Sequence, residues 1–419
     1  MRIIAKFFKK LGPGLITGSA DDDPSGIATY SSAGAQYGFK LLWGALFTLP
    51  LMIAVQEMCA RITMVSGQGL AATFKRFYSQ KVLGLAVALL FLANTFNIGG
   101  DLGMMASAVN LLAPSAPTFL LIVLIAVLSL FLEIILSYRV YFHILKWLCL
   151  SLLAYWATAL LVVTDWPEVW RNLFLIHWEW SKGYLMILVA FLGTTISPYL
   201  FFWQAGQELE EEIAEGRSTI KERKGVTSEE LKRMRFDVIS GMLFSNLTTF
   251  FIIITTAVTL HRFGIYNIGS AAEAALALRP LAGDFTYLLF TVGIIGTGLL
   301  AIPVLAGSTA YALAELLKWK EGLSLKWRRA YGFYGIMALS IVAGILMNFA
   351  NLNPIKALIY SAVLNGLIAP LFIGMIIVVA NKSKIMGENV NGFWSNFFGY
   401  MSLGLMAMAG MAFIVSLFL

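Results

Sequence analysis

Charge is scarce in this chain. Asp, Glu, Lys and Arg make up 13% of the 419 residues, whereas apolar residues make up 59% and mean hydropathy is +0.79. Soluble domains carry about a quarter charged residues, so a soluble enzyme and a disordered chain are both excluded. Cysteine and histidine are scarcer still. Cys59 and Cys149 both sit in apolar runs, and His143, His177 and His261 are scattered. Neither set builds a disulfide scaffold or a Cys/His-rich metal cluster, and the histidines at span ends read as interfacial. Long hydrophilic stretches are also missing, with the exception of 207-235, which is acidic first and basic later. The start, MRIIAKFFKKLGPG, reads as an amphipathic lead and not as a cleavable signal, because lysines interrupt its apolar run.

What is present is a series of apolar runs. Eleven are long enough to cross a hydrocarbon core, near 11-37, 40-64, 82-112, 117-137, 144-164, 184-206, 236-260, 284-317, 329-350, 354-380 and 393-418. The expected fold is therefore an all-α integral membrane protein with 11 transmembrane helices. With the N-terminus in the cytoplasm, the inner segments hold every Lys and Arg except Lys40, Arg171, Lys182, Arg262, Arg279 and Lys356. That asymmetry sets the orientation, and it accounts for the net charge of +7 by location, so no nucleic-acid partner is implied. Residues 207-235 become a cytoplasmic loop, expected to be a solvated helix with i,i+4 ion pairs. Glu57 and Arg61, also i,i+4, are expected to pair with each other.

Two spans are interrupted. Span 1 carries GSADDDPSGIATYSSAG, which puts Asp21, Asp22, Asp23, Pro24 and Gly26 near the middle of the membrane; span 6 carries FLGTTISPYLFFWQAG, with Thr194, Ser197, Pro198 and Tyr199. Proline removes a backbone donor and disfavours helix in the residue before it, so helix breaks are expected at Pro24 and Pro198. Unwound carbonyls at membrane depth are tolerated where they line a cavity or meet a ligand. A carboxylate at a helix centre costs about 2.5 to 3.5 kcal/mol to insert, so three in a row require a cation or a water path. Asp23, directly before the proline, is the expected ligand; Asp21 and Asp22 stand equally as ligands or as polar caps of the unwound end. Spans 1 and 6 each open a five-span unit, the pattern of an inverted repeat with its site at the interface. The expected units are 1-180 and 181-390, with 391-419 as an additional span.

These residues resemble the natural resistance-associated macrophage proteins (Nramp), divalent metal transporters of the LeuT fold. GPGLITGSADDDPSGIATYSSAGAQYGFKLLW is similar to the family's first span, with its GPG entry, DPGN break and AGxQxG-LLW exit. The likeness continues through spans 3, 6, 9 and 10. It implies a metal held by Asp23, with Asp21 and Asp22 beside it, and by the carbonyls of Ala20 and Thr194. The family's ligand Asn falls on Gly26, its Met on Ser197, its His on Tyr199 and its Gln on Ala362. The first of its span 3 acids falls on Ile98 and the second on Asp101, while its paired arginines match Arg328 and Arg329, so Asp101 and the two arginines mark a proton or electrostatic path.

The departures change the chemistry. Losing the thioether removes the soft ligand that favours Mn²⁺ or Fe²⁺ over hard cations, and the remaining hydroxyls, carboxylates and carbonyls suit Mg²⁺, which keeps several waters. Smaller residues at Gly26, Ser197 and Ala362 are expected to make room for that water. The pattern is similar to the Nramp-related magnesium transporters, which carry Mg²⁺ and Mn²⁺ without protons; Tyr199 and Ile98 cannot relay a proton near neutral pH, although Asp101 can titrate. The expectation is a secondary transporter of Mg²⁺ and Mn²⁺ in a bacterial plasma membrane. It has no catalytic residues and no cofactor; its partners are the cation and the bilayer, and no oligomer is implied. The alternatives are a proton-coupled Mn²⁺/Fe²⁺ symporter, for which Met104 or Met105 would have to supply a soft ligand, and an organic-substrate symporter of the same fold, against which the three acids argue. A membrane-embedded enzyme would need a nucleophile or metal cluster that the scattered histidines do not supply.

Overall fold

The computed structural model describes residues 13-135, 149-350 and 352-418. The basic N-terminal lead, Arg139, His143, Lys146 and the outermost residues of the spans expected at 11-37, 117-137 and 144-164 lie outside them. Everything described is helix, turn or irregular chain. The principal helices are α1 (Pro13–Asp21), α2 (Pro24–Tyr37), α3 (Leu42–Ser66), α4 (Gln80–Leu112), α5 (Thr118–Ile135), α6 (Leu153–Val162), α7 (Lys182–Thr195), α8 (Pro198–Ala214), α9 (Ser228–Thr259), α10 (Thr286–Leu317), α11 (Tyr331–Met347), α12 (Pro354–Ala380) and α13 (Phe393–Ser416). Eight helical stretches among the described residues are long and apolar enough to cross a bilayer. Both expected breaks are present, between α1 and α2 and between α7 and α8, each with a proline as the first residue of the second half.

The pairing of helices has an internal symmetry. Within the core α3 packs on α9 and α4 on α10; α1 packs on α9 as α8 packs on α3, and α2 meets α4 as α8 meets α10. Numbering the spans in order, with the two halves of a broken helix as one, this pattern maps onto itself when each span is advanced by five. The broken helices lie innermost: 94% of the most apolar window of Lys182–Ala214 is buried, against 33% for Phe393–Ser416. Apolar side chains such as Leu124, Val127 and Phe131 on α5 and Met408, Met411 and Val415 on α13 face outward, as a lipid-facing surface requires. Small residues set the closest crossings. A Cβ on Gly18 would lie 2.1 Å from the carbonyl oxygen of Gly241, so α1 and α9 touch backbone to backbone.

The stretch 207-235 differs from its expected form. Its Glu-rich half continues α8 and its end already belongs to α9, because Gln, Glu, Leu and Ala favour helix. The link between them holds one further helical turn, Ile220–Arg223, capped by the box Thr219/Glu222, and a second box, Thr227/Glu230, opens α9. The acids on α8 are not solvated: Glu208, Glu210 and Glu212 are 6%, 1% and 4% exposed. Glu210 accepts hydrogen bonds from Tyr311 Oη (2.8 Å) and from the backbone N–H groups of Leu323 (2.6 Å) and Ser324 (3.0 Å), fastening α8 to the turn after α10. Arg217 gathers Glu212, Glu215 and Glu230 rather than forming i,i+4 pairs. Glu57 and Arg61 do pair, at 2.9 Å, and Arg235 at the start of α9 joins them at 3.0 Å.

Candidate cation site at the two helix breaks

Where α1 ends, the next half-helix starts with unsatisfied N–H groups and the positive end of its dipole. Asp23 meets both needs. It is the N-cap of α2 in extended conformation, fully buried, and its Oδ1 accepts from the N–H of Gly26 at 2.6 Å. Its Oδ2 accepts from Asn97 Nδ2 on α4 at 2.7 Å, and Asn97 Oδ1 in turn accepts from Ser361 Oγ on α12 at 2.7 Å.

The other acids diverge from Asp23. Asp21 Oδ2 accepts from Ser245 Oγ on α9 at 2.6 Å and its second oxygen is unpartnered; Asp22 lies beside Thr248 and Thr249 on α9, with neither oxygen hydrogen-bonded. Asp101, one turn along α4 from Asn97, is buried beside Asp23 and Ser25, and both its oxygens are also without a hydrogen-bond partner. Buried carboxylate oxygens without a donor are costly, which makes this group of acids a locus for cations or protons.

The second break supplies oxygens without charge. Ser197 Oγ turns back onto its own preceding half-helix, 2.6 Å from the carbonyl oxygen of Gly193 and 2.8 Å from that of Thr194. Tyr199 Oη donates to the carbonyl oxygen of Ala20 at 3.1 Å, joining α8 to the end of α1 across the break. Tyr30 Oη lies 3.1 Å from Thr195 Oγ1, whose own proton goes to Phe191, so the two broken spans are also tied between α2 and α7. Tyr199 thus joins the second break to Ala20 at the first, while Ser197 lies on the carbonyl of Thr194, and every polar atom in these contacts is an oxygen. Among the described residues no three of His, Cys, Asp or Glu converge as a preformed metal cage.

Several expected positions sit elsewhere. Gly26 does not open a space for water; a Cβ there would lie 2.7 Å from Asp21 O and 3.3 Å from the ring of Tyr30. Ala362 is buried with its carbonyl oxygen against Gly193, where a Cβ would come within 2.1 Å. Arg328 and Arg329 are exposed in the turn Trp327–Arg329, Arg328 over the indole of Trp327. Met105 packs its sulfur on Gly298 of α10, and Met104 lines a shallow pocket with Asn110 and Pro354. Asn97, which reaches Asp23, and Ser361, which reaches Asn97, were not anticipated. Each precedes by one a position that the resemblance singled out, Ile98 and Ala362; the polar side chain four residues before Asp101 was the available signal.

A cavity of 730 Å³ opens at the end of the molecule where α1 begins, lined by Pro13, Glu208, Glu212 and Asp237 among others. The first turn of α1 is held there by the N–H of Gly14 to Asp237 Oδ2 at 2.6 Å, and by Thr17 Oγ1 to Gln204 at 2.7 Å.

The family model described as "Natural resistance-associated macrophage protein-like" matches residues 14–416. A "Divalent metal cation transporter MntH" from Caldanaerobacter subterraneus subsp. tengcongensis is 24% identical over 403 residues, covering 92% of this chain and 87% of the relative. A protein of the same description from Agrobacterium fabrum is 27% identical over 395 residues, covering 91% and 82%. Among solved structures, an Eremococcus coleocola manganese transporter superposes with a TM-score of 0.69 at 17% identity, covering 96% of this chain and 85% of that one.

Proposed function

This chain belongs to the Nramp family of multi-pass membrane proteins and is not an enzyme, and from that premise we propose that it is a divalent metal cation transporter whose cargo is Mg²⁺ as well as Mn²⁺, moved without protons. The observation that carries this reading is the donor set at the breaks. Asp23 caps the half-helix after the first break, and Ala20, Tyr199, Ser197 and Thr194 contribute oxygens at the two breaks, with no sulfur among these groups. A hard site of one carboxylate, carbonyls and hydroxyls suits an ion that dehydrates reluctantly. A soft-ligand filter would need Met104 or Met105, and both are engaged elsewhere.

In this reading the cation enters from one side, is held by Asp23 while the carbonyls and hydroxyls replace or hydrogen-bond its waters, and leaves as the two five-span units rock about the breaks. Eleven spans, an N-terminus in the cytoplasm and the units 1-180 and 181-390 complete the arrangement, in a bacterial plasma membrane. The membrane potential alone drives uptake, at about 4.6 kcal/mol per 100 mV for a divalent ion. Tyr199 occupies the relay position of span 6 as a phenol already donating to a carbonyl, which supports the uncoupled reading.

The decisive experiment compares Mg²⁺, Mn²⁺ and Ca²⁺ flux in proteoliposomes with a pH dye inside. Millimolar Mg²⁺ moving or slowing Mn²⁺, with no matching acidification, is the expected result; Mg²⁺ doing neither returns the chain to ordinary Mn²⁺ transport. One observation favours a second reading, proton symport: the unpartnered carboxylate of Asp101 beside Asp23. Metal-dependent acidification that disappears in Asp101→Asn would establish it.

A further inference from the structure

A carboxylate offers two oxygens with two lone pairs each, and on Asp23 one lone pair of each oxygen is already used, by Gly26 N–H on Oδ1 and by Asn97 Nδ2 on Oδ2. The first of these bonds is the cap of α2. The second comes from a different helix, and its direction is set by a third. Asn97 is 1% exposed, and an amide can present either nitrogen or oxygen to a neighbour. The carboxylate of Asp23 only accepts, so it takes the nitrogen, and Ser361 holds the oxygen in that orientation. Its hydroxyl lies 2.7 Å from Asn97 Oδ1 and 2.7 Å from the carbonyl of Leu358, and it has one proton to give. Ser25 Oγ also donates to Leu358, at 3.4 Å, so that carbonyl has another donor and the Ser361 proton is available to Asn97. With its oxygen held by Ser361, Asn97 faces Asp23 as a donor; turned over, it would set two acceptors against each other at 2.7 Å.

We propose that Asn97, oriented by Ser361, is a specificity-determining positioning residue that limits how Asp23 binds a cation. The proposal rests on Asp23 being the cation ligand. Each donor takes one lone pair of its oxygen and draws electron density from the carboxylate, so both oxygens are weaker ligands than those of a free carboxylate. Mn²⁺, which gains most from direct contact with the carboxylate, loses most by this, and Mg²⁺, which keeps several of its waters, stays competitive. Asn97 is thus a neutral brake on affinity, placed where an acid would have joined Asp101 beside Asp23.

The test measures KM and kcat for Mg²⁺ and Mn²⁺ in proteoliposomes for the parent, Asn97→Asp, Asn97→Leu, Ser361→Ala and Ser361→Thr. Asn97→Asp should lower the Mn²⁺ KM about tenfold, lower kcat with it and move Mg²⁺ much less, so that the Mn²⁺ to Mg²⁺ preference rises. Asn97→Leu, similar in size, releases Oδ2 and should shift the ratio the same way by about threefold; Ser361→Ala should follow it and Ser361→Thr should keep the parental ratio. An unchanged ratio in folded Asn97→Asp and Asn97→Leu overturns the proposal while Asp23→Ala, if inactive, leaves the ligand assignment standing. Normal flux in Asp23→Ala removes the assignment itself. If the Asn97 variants do not fold, the Ser361 pair decides: the ratio must move in Ser361→Ala and be retained in Ser361→Thr, and any other pattern rejects the brake.

Discussion

The two helix breaks have the same local grammar, a residue in extended conformation followed by proline, and resolve it in opposite directions. At the first, the residue before the proline is an acid that reaches forward, capping the half-helix that follows. At the second, Ser197 makes no forward cap and donates backward to Gly193 and Thr194, closing the half-helix that precedes it. The consequence is a division of labour: the first break carries the carboxylate, and the second contributes neutral oxygens. The outer ends differ too. α8 is bolted through Glu210 to the turn after α10, whereas the first turn of α1 rests on the bonds of Gly14 and Thr17.

The strongest way to break this comparison is at Asp23. Asp23→Asn keeps an oxygen able to cap α2 but removes the charge, so divalent flux should fall about a hundredfold or more while the protein remains folded in size-exclusion chromatography. Flux near the parental rate would mean that the charge of the first break is not where the cation binds. Gly26→Ala should come next. The added methyl meets Asp21 O at 2.7 Å, and overpacking of this kind costs about 1 to 3 kcal/mol, to be read as a lowered Tm with at least a severalfold loss of flux.

Ser197→Cys sharpens the neutral side. It replaces a hard donor with a soft one of similar shape, so Mg²⁺ flux should change little while Cd²⁺ becomes a stronger competitor, about tenfold by inhibition titration. Tyr199→Phe removes only the donor to Ala20 O, a loss of about 0.5 to 1.5 kcal/mol, and the pH profile of flux should be unaltered; a displaced profile would assign Tyr199 a proton role.

The last effect, on stability and with the smallest consequence for flux, belongs to the turn that anchors α8. In the turn after α10, burial and then the charges of Glu315 and Glu210 push the Glu321 carboxyl up to about 10. The folded protein therefore holds a proton that the unfolded chain releases in the ordinary carboxylate range, so stability is full below about pH 4.5 and declines as pH rises toward 10. Thermal unfolding followed from about pH 6 to about pH 9 should show that decline, and Glu321→Gln should flatten it. A parallel decline in the variant would place the titrating group elsewhere.

Much of this was legible in the sequence because it follows from proline chemistry and the cost of buried charge. The positions of both breaks and the Glu57–Arg61 pair are of this kind. What was not legible depends on helix rotation. Whether residue 97 or 98 of α4 faces Asp23, or 361 or 362 of α12 faces Asn97, is a difference of about 100° around a helix, which a hydrophobic span does not encode when all its faces are apolar. Gly26 misled for another reason. A small residue suggests space, but here it permits two backbone segments to approach. The acids of α8 were misread because a run of Glu looks solvated until the donors that bury it, Tyr311, Leu323 and Ser324 for Glu210, are brought from a distant part of the chain.

The cluster of acids at the first break also bears on how the protein is made. Asp21, Asp22 and Asp23 lie in a span that leaves the ribosome before α4 and α9, at a cost of about 2.5 to 3.5 kcal/mol for each charge at the membrane centre. Their partners come later: Asn97 from α4, and Ser245 with Thr248 and Thr249 from α9. Order of synthesis therefore runs against order of need, and the first span should settle in the membrane only once α9 has been translated. Chains stalled just before and just after α9 would reveal this, the shorter ones leaving the segment around Asp22 open to protease and the longer ones protecting it.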